Sequence, residues 1–472
     1  MEPVGTVTAI LLILVVMALV ARWKKEWRSQ NYLLGPLALP VIGNLLQLRA
    51  ANTCKTFRKL SKKYSPIFTL CFGSERVVVV VSYEVVREVL VNRRDEFTDR
   101  GQFPLAEKTN KDLGIFMSNG ETWVQTQPFT LTMLRDFGVG KRSVEEQVQE
   151  EMGLLLQELA QAKGQLFDPA ILLSAAMGNT ICHILVSERF SYSDEEYHHV
   201  LWHLAENFHL ESSIAGQLCT ILPSLMNRLP GSHQTFFQNN SFEEFLARKV
   251  VEHKATLDLE APQDFVDAFL CRMEQEKGNP RMAFRWDNMH AMAFDMFVSG
   301  TESTSITLRY CLMLLLEHPK VAGKVQEEIE RVMGREQTPT LQDRGAMPYT
   351  KAVLHEMLWF LDFAFIRRAK RDTQPGGFII PKGCTTYPVL SSALRDPRHF
   401  KNPEAFNPRH FLDEKGGFKK SEAFMPFSAG KRMCLGESLA WAQLFLSLTA
   451  ILQRFQLQHT PPPTCIPKSV AS

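Results

Sequence analysis

Cys434 sits in the stretch FMPFSAGKRMCLG (424–436), two residues after Arg432 and two before Gly436. A thiolate binds a metal or haem iron strongly where its site excludes water and offers donors to the sulfur. The neighbouring residue types meet that need. Gly430 and Gly436 let the backbone approach a flat cofactor closely, Arg432 can pair with a carboxylate on it, and Phe427 can cover one side of the sulfur. A helix opening just after Cys434 would bring amides and a positive dipole end near the thiol. The plainer alternative is a small buried hydrophobe in an ordinary loop.

A second set lies in FVSGTESTS (297–305). Gly300 within a helical pattern costs about 1 kcal/mol relative to alanine and needs a reason. Beside it stand an acid, Glu302, and a hydroxyl, Ser303, which can relay protons to a reacting group. The alternative is a kinked helix with a solvated glutamate. Other patterns carry less. GVGK (138–141) lacks the spacing and the following Ser/Thr of a phosphate loop, and His198, His199, His203 and His209 fall on a helical stretch without a metal motif. We read these histidines as surface or core residues.

The elements that must position these groups are mostly helical. The 472 residues are 45% hydrophobic and 22% charged, a globular composition, and a net charge of +2 gives no support to nucleic-acid binding. Nine scattered cysteines without a CxxC pair read as reduced thiols, not as a disulfide framework or a zinc site. Val4–Val20 is an uncharged run of 17 residues followed by Arg22, Lys24, Lys25 and Arg28, the pattern of a signal anchor whose basic flank stays cytoplasmic. A cleaved signal peptide is the alternative, but no basic region precedes the run. The sequon Asn239-Asn240-Ser241 has no use on a cytosolic domain.

LLGPLALPVIGN (33–44) forbids a helix and makes a stiff extended connector. PIFTLCFGSERVVVVVS (66–82) predicts two strands joined at Gly73-Ser74, and SYEVVREVLV resumes helical spacing. From about 140 to 370 the pattern is helical, and its longest amphipathic stretch runs from Asp287, as N-cap, to Glu317 before His318-Pro319. Short strands return in 376–390, a proline-rich coil follows, and a last helix runs from Gly436 to Gln453. The expectation is one large, mostly α domain with a minor β portion.

Phe427, Gly430, Arg432, Cys434 and Gly436 spell F-x-x-G-x-R-x-C-x-G, which resembles the haem-binding signature of the cytochrome P450 superfamily. The apolar amino-terminal run, the Pro/Gly hinge, LRDFGVGKRSVEE, IPKG, FNPRHFLD and the long central helix are similar to its microsomal, family-two type, over nearly the whole chain. The resemblance implies the P450 fold, a large helical lobe with a small β-containing lobe behind an N-terminal membrane anchor. Residues 1–22 would be the anchor, 23–44 the basic flank and linker, and 45–472 the haem-thiolate domain. It further implies haem b (iron protoporphyrin IX), with Cys434 as the axial iron ligand whose electron donation favours O–O cleavage. Ser303 and Glu302 would assist proton delivery, with Ser299 and Ser303 standing where the family has alanine and threonine. Arg100, Trp123, Arg367 and Arg432 fall on positions facing the haem propionates, and Phe116, Met117, Ser299 and Phe365 on segments that contact substrate. The implied activity is insertion of one oxygen atom from O2 into a small lipophilic substrate such as a xenobiotic, fatty acid or steroid. Electrons would come from NADPH–cytochrome reductase, with cytochrome b5 as a further donor, on the cytosolic face of the endoplasmic reticulum membrane.

Three departures from the family pattern set a second expectation beside this one. Trp123 is followed by Gln127 where the family has a propionate arginine. HEMLWF (355–360) carries Glu356 with Trp359 in place of the arginine of Glu-x-x-Arg. Leaving a buried charge without its partner costs about 3–5 kcal/mol, so Glu356 must be neutralised by His410 or be protonated. QHTPPPTCIPKSVAS ends the sequence where the family continues through a β-hairpin, so that hairpin is expected to be cut short. The second expectation is therefore a membrane-anchored relative that folds poorly or binds haem without turnover.

Overall fold

The computed structural model describes residues 35–458 except 40–41, 49–52, 74, 102–111, 138–141, 166, 214–215, 217–239, 280 and 361–365. The apolar run of 4–20, the GVGK stretch, Phe365 and the last 14 residues thus lie outside the described residues. No helix among those described is long and apolar enough to cross a membrane.

The chain opens with α1 (Thr53–Lys63), the hairpin β1 (Ile67–Phe72) and β2 (Glu75–Val80), and a short α2 (Tyr83–Arg87) that loosens into a π-helical turn over Glu88–Asn92. The valine run forms β2, and Val77–Val80 are buried throughout. A strand apolar on both faces belongs inside a sheet. β2 does so: it pairs antiparallel with β1 and parallel with β4 (Thr385–Pro388), which pairs in turn with the two-residue β3 (Arg367–Arg368). Gly73 takes the left-handed conformation (φ +61°) the hairpin turn requires.

The helical part comprises α3 (Gly120–Asp136), α4 (Arg142–Gln161), α5 (Ala170–Val186), α6 (Glu195–Ser212), α7 (Asn240–Thr256) and α8 (Phe265–Gln275). It continues with α9 (Trp286–Glu317), α10 (Pro319–Met333), α11 (Pro348–Phe360), α12 (Leu390–Leu394) and α13 (Glu437–Arg454). The 32 residues of α9 reach about 48 Å. Its start differs from the sequence expectation. Arg285 is the N-cap, with no side-chain capping bond, and Asp287 lies inside the first turn, where its carboxylate favours the helix dipole and accepts from the Asn288 amide at 2.9 Å. The end falls at Glu317 as expected, with Pro319 opening α10.

α5 is apolar nearly all round, and it lies antiparallel against α9. That packing supplies the reason for the glycine in mid-helix. A Cβ on Gly300 would stand 2.3 Å from Ile181 Cδ1, and one on Gly178 would stand 2.4 Å from the Tyr197 hydroxyl. Side chains bury into one main helical core, while the sheet side forms a second core that includes Trp359, Phe400 and Phe411. Phe424, at the head of the cysteine turn, packs against both.

Candidate functional site

The turn before α13 is fixed by its own backbone. The Cys434 N–H donates to the Phe427 carbonyl at 3.0 Å, and Phe427 leans on Trp441 of α13 with ring centroids 5.7 Å apart. Gly430 takes φ +77°, and a Cβ there would lie 1.8 Å from the Leu90 carbonyl oxygen, so no other residue fits. Gly436 caps α13, and open space stands where its Cβ would be. The Cys434 side chain is exposed, yet burial pushes its thiol up, opposed by a hydrogen bond from the Gly436 amide. Open surface together with strong desolvation describes a group facing a recess, not bulk water. The expected amide donor at the sulfur is present.

Three guanidinium groups gather beside this turn. Arg432 donates to the carbonyls of Thr98 (2.9 Å), Ile115 (3.2 Å) and Ser118, and lies 4.2 Å over the Trp123 ring. Arg367 donates to Ser428 Oγ and to the Arg432 carbonyl, while its buried Nη1 has no partner among the described residues. Arg100 donates to the Phe116 carbonyl at 2.9 Å and covers the Phe116 ring. Burial, and then Arg367, push Arg432 down to about 9; burial takes Arg367 to about 10 and, with the other two cations, Arg100 well below its ordinary value. Arginine does not give up its proton, so the depression reflects the cost of burying three cations together, a cost that an anion beside them would offset. Two propionates are what haem would present there. The orphaned Nη1, the open space at Gly436 and the recessed thiol together fit that group.

On α9, Ser299 and Ser303 lie one turn apart on an exposed face of a helix otherwise largely buried. Ser303 Oγ donates to the Ser299 carbonyl at 2.5 Å, and Ser299 Oγ to that of Met296 at 3.3 Å. Glu302 takes a different direction. It is buried against α5, where Ser174 Oγ donates to it at 3.5 Å, and burial raises it to about 7. Gln127 is half-buried one turn beyond Trp123 on α3.

Phe116 is 39% exposed and Met117 is buried. Their turn hangs from α9 by bonds the sequence reading did not anticipate. Asp295 Oδ2 accepts from the amides of Ile115 (2.7 Å) and Phe116 (2.9 Å), and Asn288 Oδ1 accepts from Gly114 (2.7 Å). Their only sequence signal is a carboxylate and an amide in an apolar helix. Glu356 is also not stranded: His410 Nδ1 lies 3.0 and 3.2 Å from its two oxygens, and the Asn407 amide donates to it at 2.8 Å. Trp359 fills the arginine's expected place as a buried ring that donates from Nε1 to the Leu394 carbonyl. Of the α6 histidines, His199 and His203 meet each other at 3.0 Å on the surface side of the helix. His253 instead bridges Asp264 and Asp267, an ion pair tying α7 to α8.

A family model described as Cytochrome P450 matches residues 33–471. The chain is 45% identical over 462 residues to "Cytochrome P450 2C55" of Mus musculus, covering 97% of this chain and 94% of that one. It is 44% identical to "Cytochrome P450 2C8" of Homo sapiens, with the same coverage. It is 44% identical over 467 residues to "Cytochrome P450 2C16" of Oryctolagus cuniculus, covering 98% of this chain and 95% of that one.

Proposed function

We propose, for a chain that belongs to the cytochrome P450 family and is a haem-thiolate monooxygenase of small lipophilic substrates, that Cys434 ligates the haem iron. When bound, the haem supplies O2 activation, favoured by electron donation from the thiolate. The observation that carries the site assignment is the trio of buried arginines beside the recessed thiol, with Arg367 Nη1 unpartnered among the described residues. Arg100, Arg367 and Arg432 hold the propionates, and Trp123 backs Arg432 through its ring face. Gly430 fixes the turn, Gly436 leaves room for the ring, and Phe427 shields the sulfur.

Ser303 would supply a hydroxyl for proton delivery, on the exposed face that it shares with Ser299. Glu302, raised to about 7, holds or releases a proton at neutral pH. Its carboxyl lies toward α5, so its part is that of a proton store behind the hydroxyl. Phe116, Met117 and Ser299 line the substrate side, where Ser299 makes the surface more polar than an alanine would, and Phe365, outside the described residues, is assigned to substrate contact by the resemblance alone.

Residues 1–22 anchor the protein in the endoplasmic reticulum membrane, 23–44 form the basic flank and linker, and 45–472 form the cytosolic catalytic domain. Electrons arrive from NADPH–cytochrome reductase, with cytochrome b5 as a second donor. The Glu356–His410 pair removes the main ground for a defective relative, and no observation favours that reading.

The test is the carbon monoxide difference spectrum of the reduced protein. The wild type gives the thiolate-type Soret band, and Cys434→Ser loses it. A wild-type protein that takes up haem without that band overturns the ligand assignment.

A further inference from the structure

The partner that neutralises Glu356 is a histidine, and a histidine's charge depends on pH. Both side chains are sealed, Glu356 at 0% and His410 at 3% exposure. His410 Nε2 faces the Lys401 carbonyl, which can only accept, so Nε2 carries a proton. Nδ1 faces the carboxylate, so one further proton lies between ring and acid. On the ring it makes an ion pair; on the carboxyl it makes a neutral hydrogen bond. Either state is closed. Without it, a buried carboxylate confronts an imidazole lone pair, and the charge is uncompensated.

Among the described residues His410 is the only cation that acts on Glu356. α12 contributes the Leu394 carbonyl, already taken by Trp359, and the 396–406 segment contributes the Lys401 carbonyl and the Phe400 ring. Lys401, Arg409 and His399 are exposed, and Asp396 is held by Arg398. His355, next to Glu356 on α11, is pushed down to about 3 by burial among aromatic rings and stays neutral. Trp359 packs edge-on to His410 at 5.0 Å and closes the pair from water. A route leads on to the cysteine turn. Phe411, the next residue, meets Phe424 at 5.0 Å; Phe424 and Phe427 both pack on Trp441, and Phe427 accepts the Cys434 amide.

We propose that His410 is a positioning residue for the cysteine turn: the proton it shares with Glu356 latches residues 407–412 to α11, and its loss toward alkaline pH loosens haem. Burial alone would lower His410, but the hydrogen bond and charge of Glu356 outweigh it and hold it above its ordinary value. Burial also raises Glu356. Both shifts are upward, so the closed state binds more protons than the open one. The latch is therefore complete below the ordinary histidine value and lost as pH rises through the raised one. Across that interval the opening equilibrium grows by up to about tenfold per pH unit, then levels.

The experiment measures haem transfer from the loaded protein to excess apomyoglobin between about pH 6 and about pH 9. The expected result is a loss rate that climbs toward alkaline pH in the wild type and is flat in Glu356→Gln, which keeps the hydrogen bond without the charge. A flat wild-type profile, or the same climb in Glu356→Gln, overturns the proposal. Should that variant not fold, amide exchange of 407–412 in the wild type decides, measured against α13 in the same samples to cancel the intrinsic pH effect. Selective loosening of 407–412 supports the latch, and parallel behaviour of both segments overturns it. The haem readout rests on Cys434 as ligand. If that assignment fails, the thiolate-type band is missing at every pH; if only the latch fails, the band is present and its loss is independent of pH.

Discussion

At the scale of single residues, Trp359 has the least expected placement. An indole stands where the family carries an arginine, yet it is 1% exposed, bonded to the Leu394 carbonyl and tilted against Phe400 at 5.5 Å. Replacing the arginine thus removed a charge and added apolar packing, and the charge of Glu356 passed to His410. Trp359→Ala should cost about 3–5 kcal/mol, because it leaves a cavity and admits water to the pair. Trp359→Phe keeps the ring contacts but leaves a buried carbonyl unsatisfied, a loss of about 1–3 kcal/mol. Denaturant midpoints of the three proteins read both. An alanine variant as stable as the wild type would mean that the indole contributes no packing there. Glu302 shows a limit of residue-level reading. Its identity suggests a partner of Ser303, but the helix turns its carboxyl toward Ser174, and only the fold reveals that.

At the scale of elements, the contact between α5 and α9 sets where the exposed serines point. Gly300 lets the two helices approach closely, and Ile181 fills the space a Cβ would need at position 300, while Gly178 makes room chiefly for the Tyr197 hydroxyl of α6. Gly300→Ala gains helix propensity of about 1 kcal/mol but forces Ile181 to move, at a cost of about 1–3 kcal/mol. The expected net effect is a destabilised protein, and a smaller effect of the same substitution in an Ile181→Ala background. Equal effects of Gly300→Ala in the two backgrounds would show that Ile181 is not the obstacle. The glycine was visible in the sequence as an anomaly, but its cause lies on another helix. The same distance explains the other gaps. Asp295 holds the amide of Ile115 from 180 residues away, and His410 meets Glu356 from 54. Local patterns gave β1, β2, β4, the end of α9 and the start of α13, because turn chemistry and periodicity are local; β3, two residues within the stretch read as helical, was not among them. The first turn of α9 starts before Asp287 because that carboxylate satisfies the dipole from inside the helix as well as from the cap.

At the scale of the whole molecule, the cysteine turn joins two cores, and the haem-binding proposal could be framed from sequence because ligation confines several residue types to one short window. The arginine trio was less so: Arg100, Arg367 and Arg432 come from three distant segments, and the resemblance to a family supplied them before the geometry could. Their convergence has a consequence for the haem-free protein. Three buried guanidinium groups, with an Nη1 that has no partner among the described residues, repel one another and lower the stability of the empty fold. A multivalent anion bound there offsets that repulsion, so sulfate should raise the thermal midpoint of the haem-free protein by more than it raises that of the loaded one. Sulfate also stabilises proteins generally by exclusion from their surfaces, so the informative quantity is the difference between the two. Binding at about ten times its dissociation constant would contribute about 1.4 kcal/mol. Arg367→Gln should shrink the excess, since it removes one of the repelling charges and the unpartnered donor together. If the haem-free and loaded proteins gain equally, the arginines are not an anion site, and the propionate assignment loses its physical support.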